Sequence, residues 1–261
     1  MPAFYAHAKF AEETLKCLPD ALQSVIRTHP EAFILGTQGP DILFNYKPIS
    51  HSDVKTKGMD LHLAKAKTFF QRAHTLCEEH GECMYAYVAG FICHFMLDNA
   101  CHPNIYYLEE QGVLHGRIES EFDKYLKTKF GEKVHRNAAR ILSRKNGASK
   151  CASLVLEIDE TAIKKAIRTM RTVNGLFSIK SHAWQKFALW LLKRLHGEKF
   201  FAMFLHIDSL AETDALNPVL TDCFEQAIPH TAALITAFFH QNPCAEVFDA
   251  FDKDYKGESI Q

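Results

Sequence analysis

Between Gly90 and Glu119 the chain reads GFICHFMLDNACHPNIYYLEEQGVLHGRIE, and its histidines and carboxylates recur at steps of four. His94, Asp98 and His102 form one series; His115 and Glu119 form another. On an α-helix such residues share a face one turn apart, where two side chains reach one ion. On a strand, of period two, the same side chains would be strung out along one face at twice that separation. If the flanking segments are helical, the spacing suits shared metal binding, and imidazole plus carboxylate is an ordinary zinc ligand set. A histidine inside the apolar run FICHFML also needs a partner to be buried. A core histidine bonded to a backbone carbonyl answers for one such pair. Two pairs side by side favour metal, and more than one ion.

The rest of the chain supports helices. Apolar positions recur at helical spacing over 6–17, 20–27, 59–79, 84–101, 114–130, 133–144, 159–172, 181–205 and 221–240, and few segments alternate as strands do. Pro103 is expected to end the helix that carries His94. Residues 36–50, with two glycines and two prolines, read as a loop. The fold class is all-α. A first region, 1–130, holds the site-like clustering; a second, 131–261, supplies supporting helices packed into the same domain, with a polar connector at 143–150. The segment 186–206 is aromatic and basic; a core-facing helix with solvated lysines is expected there, with docking on a membrane surface as the alternative. Residues 251–261 read as a solvated tail.

Composition narrows the class of partner. With 261 residues, 47% hydrophobic and 23% charged, the chain is an ordinary globular one. Its formal net charge of −1 offers no overall electrostatic argument for a nucleic-acid or a membrane partner. Histidine is the outlier: of 15, nine lie between His7 and His115. The eight cysteines are scattered through apolar segments without CxxC spacing, which fits reduced, buried thiols. No signal peptide or membrane-spanning run is evident, and a cytoplasmic location is expected.

Further candidate ligands lie outside the central stretch. Asp41, in Gly39-Pro40-Asp41, stands between two apolar triplets and reads either as a helix cap or as a cation ligand. His7, His51 and His62 are each ambiguous between ligand and solvated side chain, and Cys101 reads as buried.

In order, His7, Asp41 in GPD, a histidine at 51 or 62, HxxxD at 94 and 98, His102, and HxxxE at 115 and 119 resemble the zinc-dependent phospholipase C family, which shares its helical fold with the S1/P1-type nucleases. The resemblance covers roughly residues 1–125. It implies a phospholipase C/P1 nuclease-like bundle with additional C-terminal helices and a site for two or three Zn2+ ions. By position it implies one zinc held by Asp41, His94 and His62 (or His51), a second held by His7 with Asp98 as bridge, and a third held by His102, His115 and Glu119. It implies an enzyme that cleaves phosphodiesters, possibilities including phospholipids, by zinc-bound hydroxide, with Asp41 also a candidate general base and Phe44, Tyr106 and Tyr107 a candidate substrate wall. Two departures stand out. In secreted members the mature amino terminus itself ligates zinc, whereas His7 here follows Met1-Pro2 closely; and the interval from Asp98 to His102 is shorter. The competing readings are the same chemistry on a soluble phosphoester, nucleotide or nucleic acid, and a non-catalytic helical protein stapled by zinc. An HD-type phosphohydrolase is disfavoured, because no adjacent His-Asp dyad occurs.

Overall fold

A computed structural model describes residues 4–255 except 49, 135–136, 178–180, 182, 185, 188–189, 191–193, 195–210, 241–242 and 244. Among the described residues all regular structure is helical. In order these are α1 (Phe4–Lys16), α2 (Asp20–Thr28), α3 (Pro30–Gly36), a 3₁₀ segment (Gly39–Asn45), α4 (Asp53–Leu63), α5 (Lys67–His80), α6 (Glu82–Glu110) and α7 (His115–Lys129). A short 3₁₀ turn (Ala138–Ile141) precedes α8 (Ala148–Leu156), α9 (Glu160–Phe177), α10 (Ala211–Asp214), α11 (Leu216–Phe238) and α12 (Ala245–Asp249).

The 29-residue α6 is the axis of the molecule. Its apolar residues occupy every face, which only a helix surrounded by others can satisfy. Helices α1, α2, α3, α5, α7, α8 and α11 all pack against it. Two glycines set the closest crossing. A Cβ on Gly36 would fall 2.0 Å from the Tyr87 carbonyl oxygen, and one on Gly90 would fall 2.1 Å from that of Phe33. The backbones of α3 and α6 touch there, and this contact delivers the 3₁₀ segment that follows α3 to the side of His94.

Pro103 does not end α6; the helix runs on to Glu110. An interior proline costs about 3 kcal/mol. Beyond it Ile105 and Leu108 are buried, each contributing roughly 1.5–3 kcal/mol, enough to offset the cost. The expected single helix over 59–79 is two, α4 and α5, with a break at 64–66. The expected loop at 36–50 contains a 3₁₀ turn, and 133–144 yields only one short turn among its described residues.

The tail is also corrected. Phe251, Asp254 and Tyr255 are buried, and Phe251 stacks on Phe70 with ring centroids 4.0 Å apart. Backbone bonds from Ala66 N to Lys253 O (3.0 Å) and Tyr255 N to His62 O (3.4 Å) fasten this segment across the helices. Two large aromatics, Phe251 and Tyr255, in the first five positions of the segment explain it: burying them outweighs solvating its charges. Much of the expected helix at 181–205 lies outside the described residues. Its described positions 183, 184, 186, 187, 190 and 194 are helical, but Phe187 (49%) and Trp190 (54%) are exposed rather than facing a core. No helix among the described residues is long and apolar enough to cross a membrane.

Candidate metal centre

Five helical elements converge on one cleft. Helix α6 supplies His94, Asp98 and His102 on consecutive turns, and α7 supplies His115 and Glu119. The first turns of α1 supply His7, the 3₁₀ segment supplies Asp41, and the end of α4 supplies His62. Their ligating atoms fall into three groups, each within 4.8 Å: His7, Asp41 and His94; His62, His94 and Asp98; His102, His115 and Glu119. All eight residues are thus brought together. His51 lies exposed just before α4, outside all three groups.

Each of four imidazoles is held by one ring nitrogen. His94 Nδ1 lies 3.1 Å from the Thr37 carbonyl, His62 Nδ1 2.7 Å from that of Gly58, and His102 Nδ1 2.8 Å from that of Tyr255. A carbonyl only accepts, so Nδ1 carries the proton in these three. Their Nε2 atoms, and that of His115, whose Nδ1 sits 3.0 Å from Glu109 Oε2, are thereby aimed at carboxylates. His62 Nε2 is 3.0 Å from Asp41, His94 Nε2 is 3.1 Å from Asp98, and His115 Nε2 is 3.2 Å from Glu119. His102 Nε2 stands 3.8 Å from Glu119 and 3.9 Å from Asp98. This outer ring of acceptors is how metal-binding histidines are oriented.

The donor set fits zinc. His94 Nε2, wholly buried, faces Asp98 yet has no hydrogen-bond partner, since with the proton on Nδ1 both atoms are acceptors; His7 Nδ1 has no hydrogen-bond partner either. A lone pair facing a carboxylate across such a gap is unsatisfied until a cation lies between them. Asp98 stands between the groups: one oxygen is 3.3 Å from His7 and the other faces His94.

Electrostatics follow from crowding. Burial alone would raise the Asp98 carboxyl; His94, His102 and His7 overcome it and hold the group well below its ordinary value. Burial likewise opposes charge on His102, yet Asp98 and Glu119 raise it to about 9. Asp41 is part-buried, which opposes its charge, and the hydrogen bond and charge of His62 bring it down to about 2. His7 is pushed downward by burial, with His94 acting in the same sense.

Gly39 makes room for this packing. Its φ is +49°, and a Cβ there would lie 2.2 Å from His94 Cδ2. The cleft itself is about 400 Å³, with Phe44, Met59, Leu63, Tyr106 and Tyr255 beside the polar residues. Of the expected apolar wall, Phe44 and Tyr106 line it, whereas Tyr107 is 65% exposed and faces away from it. A larger apolar groove of about 820 Å³ near Leu18 and Pro229 has none of these ligand groups on its walls.

Two supports have little or no signature in residue type. The Thr37, Gly58 and Tyr255 carbonyls are main chain, so no residue type marks them. Asp123 was open to detection, since it extends the step of four from His115 and Glu119. It accepts from Tyr5 N (3.1 Å) and Ala6 N (2.8 Å), satisfying orphan donors in the first turn of α1 beside His7.

Searches of curated proteins and of solved structures return no match. A family model described as zinc dependent phospholipase C matches residues 6–194, well beyond the first 125 residues and over more than half of the chain. The match spans all eight clustered residues, and the chain belongs to the zinc-dependent phospholipase C family.

Proposed function

We propose that this protein hydrolyses phosphodiesters in the manner of a phospholipase C, with His7, Asp41, His62, His94, Asp98, His102, His115 and Glu119 as the ligands of two or three zinc ions. The observation that carries the reading is the set of pre-aimed Nε2 atoms facing buried carboxylates on the wall of an open cleft. Zinc held there would polarise phosphoryl oxygens and lower the pKa of a bound water toward about 7.

The chain's own residues do the rest. Thr37, Gly58 and Tyr255 fix three imidazoles so that no rotation is needed on binding. Asp41, at about 2, is a poor proton acceptor near neutrality, so its part is to hold and orient rather than to act as general base. Burial, aided by neighbouring carboxylates, pushes the Tyr106 phenol up to about 12, so it stays protonated at the cleft wall as a donor for a phosphoryl oxygen. Met59 (51% exposed) and Leu63 (49% exposed) put apolar surface at the cleft, which suits an ester carrying an apolar group. A purely structural zinc site would be closed by four ligands. Eight ligands shared among three ions leave positions free.

The test is metal content together with release of p-nitrophenol from p-nitrophenyl phosphorylcholine. The wild type should hold two or three zincs and turn over; Asp98→Asn and His94→Ala should lose zinc and activity together. Full zinc content and turnover in both variants would exclude this site.

A further inference from the structure

The near-zero net charge conceals a strong segregation. Residues 133–197 contain fourteen Lys and Arg against three Asp and Glu, while the remainder of the chain carries sixteen against twenty-eight. From Thr161 to Gly197 there is no acidic residue at all. Two structural features lie within this basic stretch.

The first is a cleft of about 420 Å³ between α9 and the turn at 138–141, lined by Arg140, Arg144, Arg168 and Arg171 with Asn137 and Thr172. Arg168, Arg171 and Thr172 share one face of α9 at helical spacing. None of the four guanidinium groups pairs with a carboxylate among the described residues, so their positive charges converge unneutralised. Planar guanidinium groups suit phosphate oxygens.

The second is an aromatic stripe. Trp184, Phe187 and Trp190 follow one another at steps of three, with ring centroids 5.7 Å and 6.0 Å apart. Phe187 and Trp190 are about half exposed, and the Arg194 guanidinium lies 5.6 Å from the Trp190 ring. Exposed Lys186 lies in the same helical stretch. Large aromatics with basic neighbours on a surface helix match the water–bilayer boundary, where the rings sit at headgroup depth and the cations meet phosphate.

We propose that this basic stretch docks on an anionic phospholipid bilayer, with Trp184, Phe187 and Trp190 entering the interface and the four-arginine cleft engaging headgroup phosphate. A single-stranded nucleic acid would satisfy the arginines and stack bases on exposed rings, but Trp184, Phe187 and Trp190 already lie ring beside ring at 5.7 Å and 6.0 Å, one continuous apolar patch that suits a bilayer interface better than interleaved bases. Docking would bring the zinc site to its substrate and so rests, for its purpose, on the phospholipase C reading; the docking itself needs no zinc.

The chain has only two tryptophans, and both lie on the stripe, so tryptophan emission, excited selectively over that of the eight tyrosines, reports this surface alone. The full protein is mixed with phosphatidylcholine vesicles, with or without phosphatidylglycerol, and followed by emission and co-sedimentation. Anionic vesicles should shift emission to the blue and carry the protein down. Binding should be at least about tenfold weaker on pure phosphatidylcholine or at high salt. Phe187→Glu should abolish the blue shift, and Arg168→Glu with Arg171→Glu should abolish the preference for anionic lipid. Both variants should keep helical circular dichroism and wild-type hydrolysis of soluble p-nitrophenyl phosphorylcholine. Absence of any shift, equal partition onto both vesicles, or capture of a soluble oligonucleotide with vesicles ignored would overturn the proposal. A wild type that docks without hydrolysing the soluble ester would count against the phospholipase C reading and leave the docking surface standing.

Discussion

His102 concentrates the electrostatics of the site in one imidazole. Its pKa in the metal-free fold is about 9 against an ordinary 6.5, so its protonated form contributes stability that is complete below 6.5 and lost as pH rises through about 9. Zinc needs the neutral ring, so metal and proton compete. Melting temperature of chelator-treated protein is therefore expected to fall between pH 6.5 and 9, while zinc affinity, followed by calorimetry, climbs across the same window. A flat profile in both measurements would remove His102 from the site. Gly39 is the steric counterpart. Alanine there meets both the positive φ of +49° and the His94 ring, with a clash at 2.2 Å. Gly39→Ala should cost about 1–3 kcal/mol in denaturant unfolding and should displace His94 enough to lower zinc content, as no surface Gly→Ala change would.

At the scale of elements, the start of α1 is held by a neighbouring helix. Asp123, on α7, takes the Tyr5 and Ala6 amide protons, and His7 follows immediately. Asp123→Ala should cost about 1–2 kcal/mol in chemical denaturation, the range of a lost helix cap. It should also reduce zinc bound through His7 while leaving the His102, His115 and Glu119 group loaded. Loss of all zinc, or of none, would show that the link between α7 and α1 does not govern His7. Spacing made much of this site legible. Steps of four on α6 and α7 need only a helix to become a face, and the apolar periodicity of the flanking residues supplied the helix. Where spacing failed, tertiary packing had overridden a local rule: Pro103 is carried through because residues on both sides of it are buried, and the segment around Phe251 is held down by its aromatics against its charges. The acceptors on Thr37, Gly58 and Tyr255 were invisible for a different reason. Every residue has a carbonyl, and only the fold chooses which one meets an imidazole.

Across the whole molecule, the ligand groups draw on residues from His7 to Glu119 and lean on Tyr255 for support. Metal held as proposed would tie such distant positions together and so stabilise the fold against the open chain. Removing zinc with a chelator should lower the melting temperature by several degrees and broaden the transition, and adding zinc back should restore it. An unchanged melt after verified zinc removal would mean that the metal contributes nothing to holding these helices together. Charge is organised on the same scale, with an acidic majority around the cleft-bearing helices and a basic stretch after them, a division that net charge averages away. The buried segment ending at Tyr255 has one more consequence, and it concerns time. His102 waits for a carbonyl 153 positions further along the chain. Until that part of the polypeptide exists and has settled, the His102 ring is free to turn and to swap its tautomer. A chain cut short before residue 251 would lack the Tyr255 carbonyl, and if His102 ligates zinc as proposed, its metal would bind more weakly there until that segment is made.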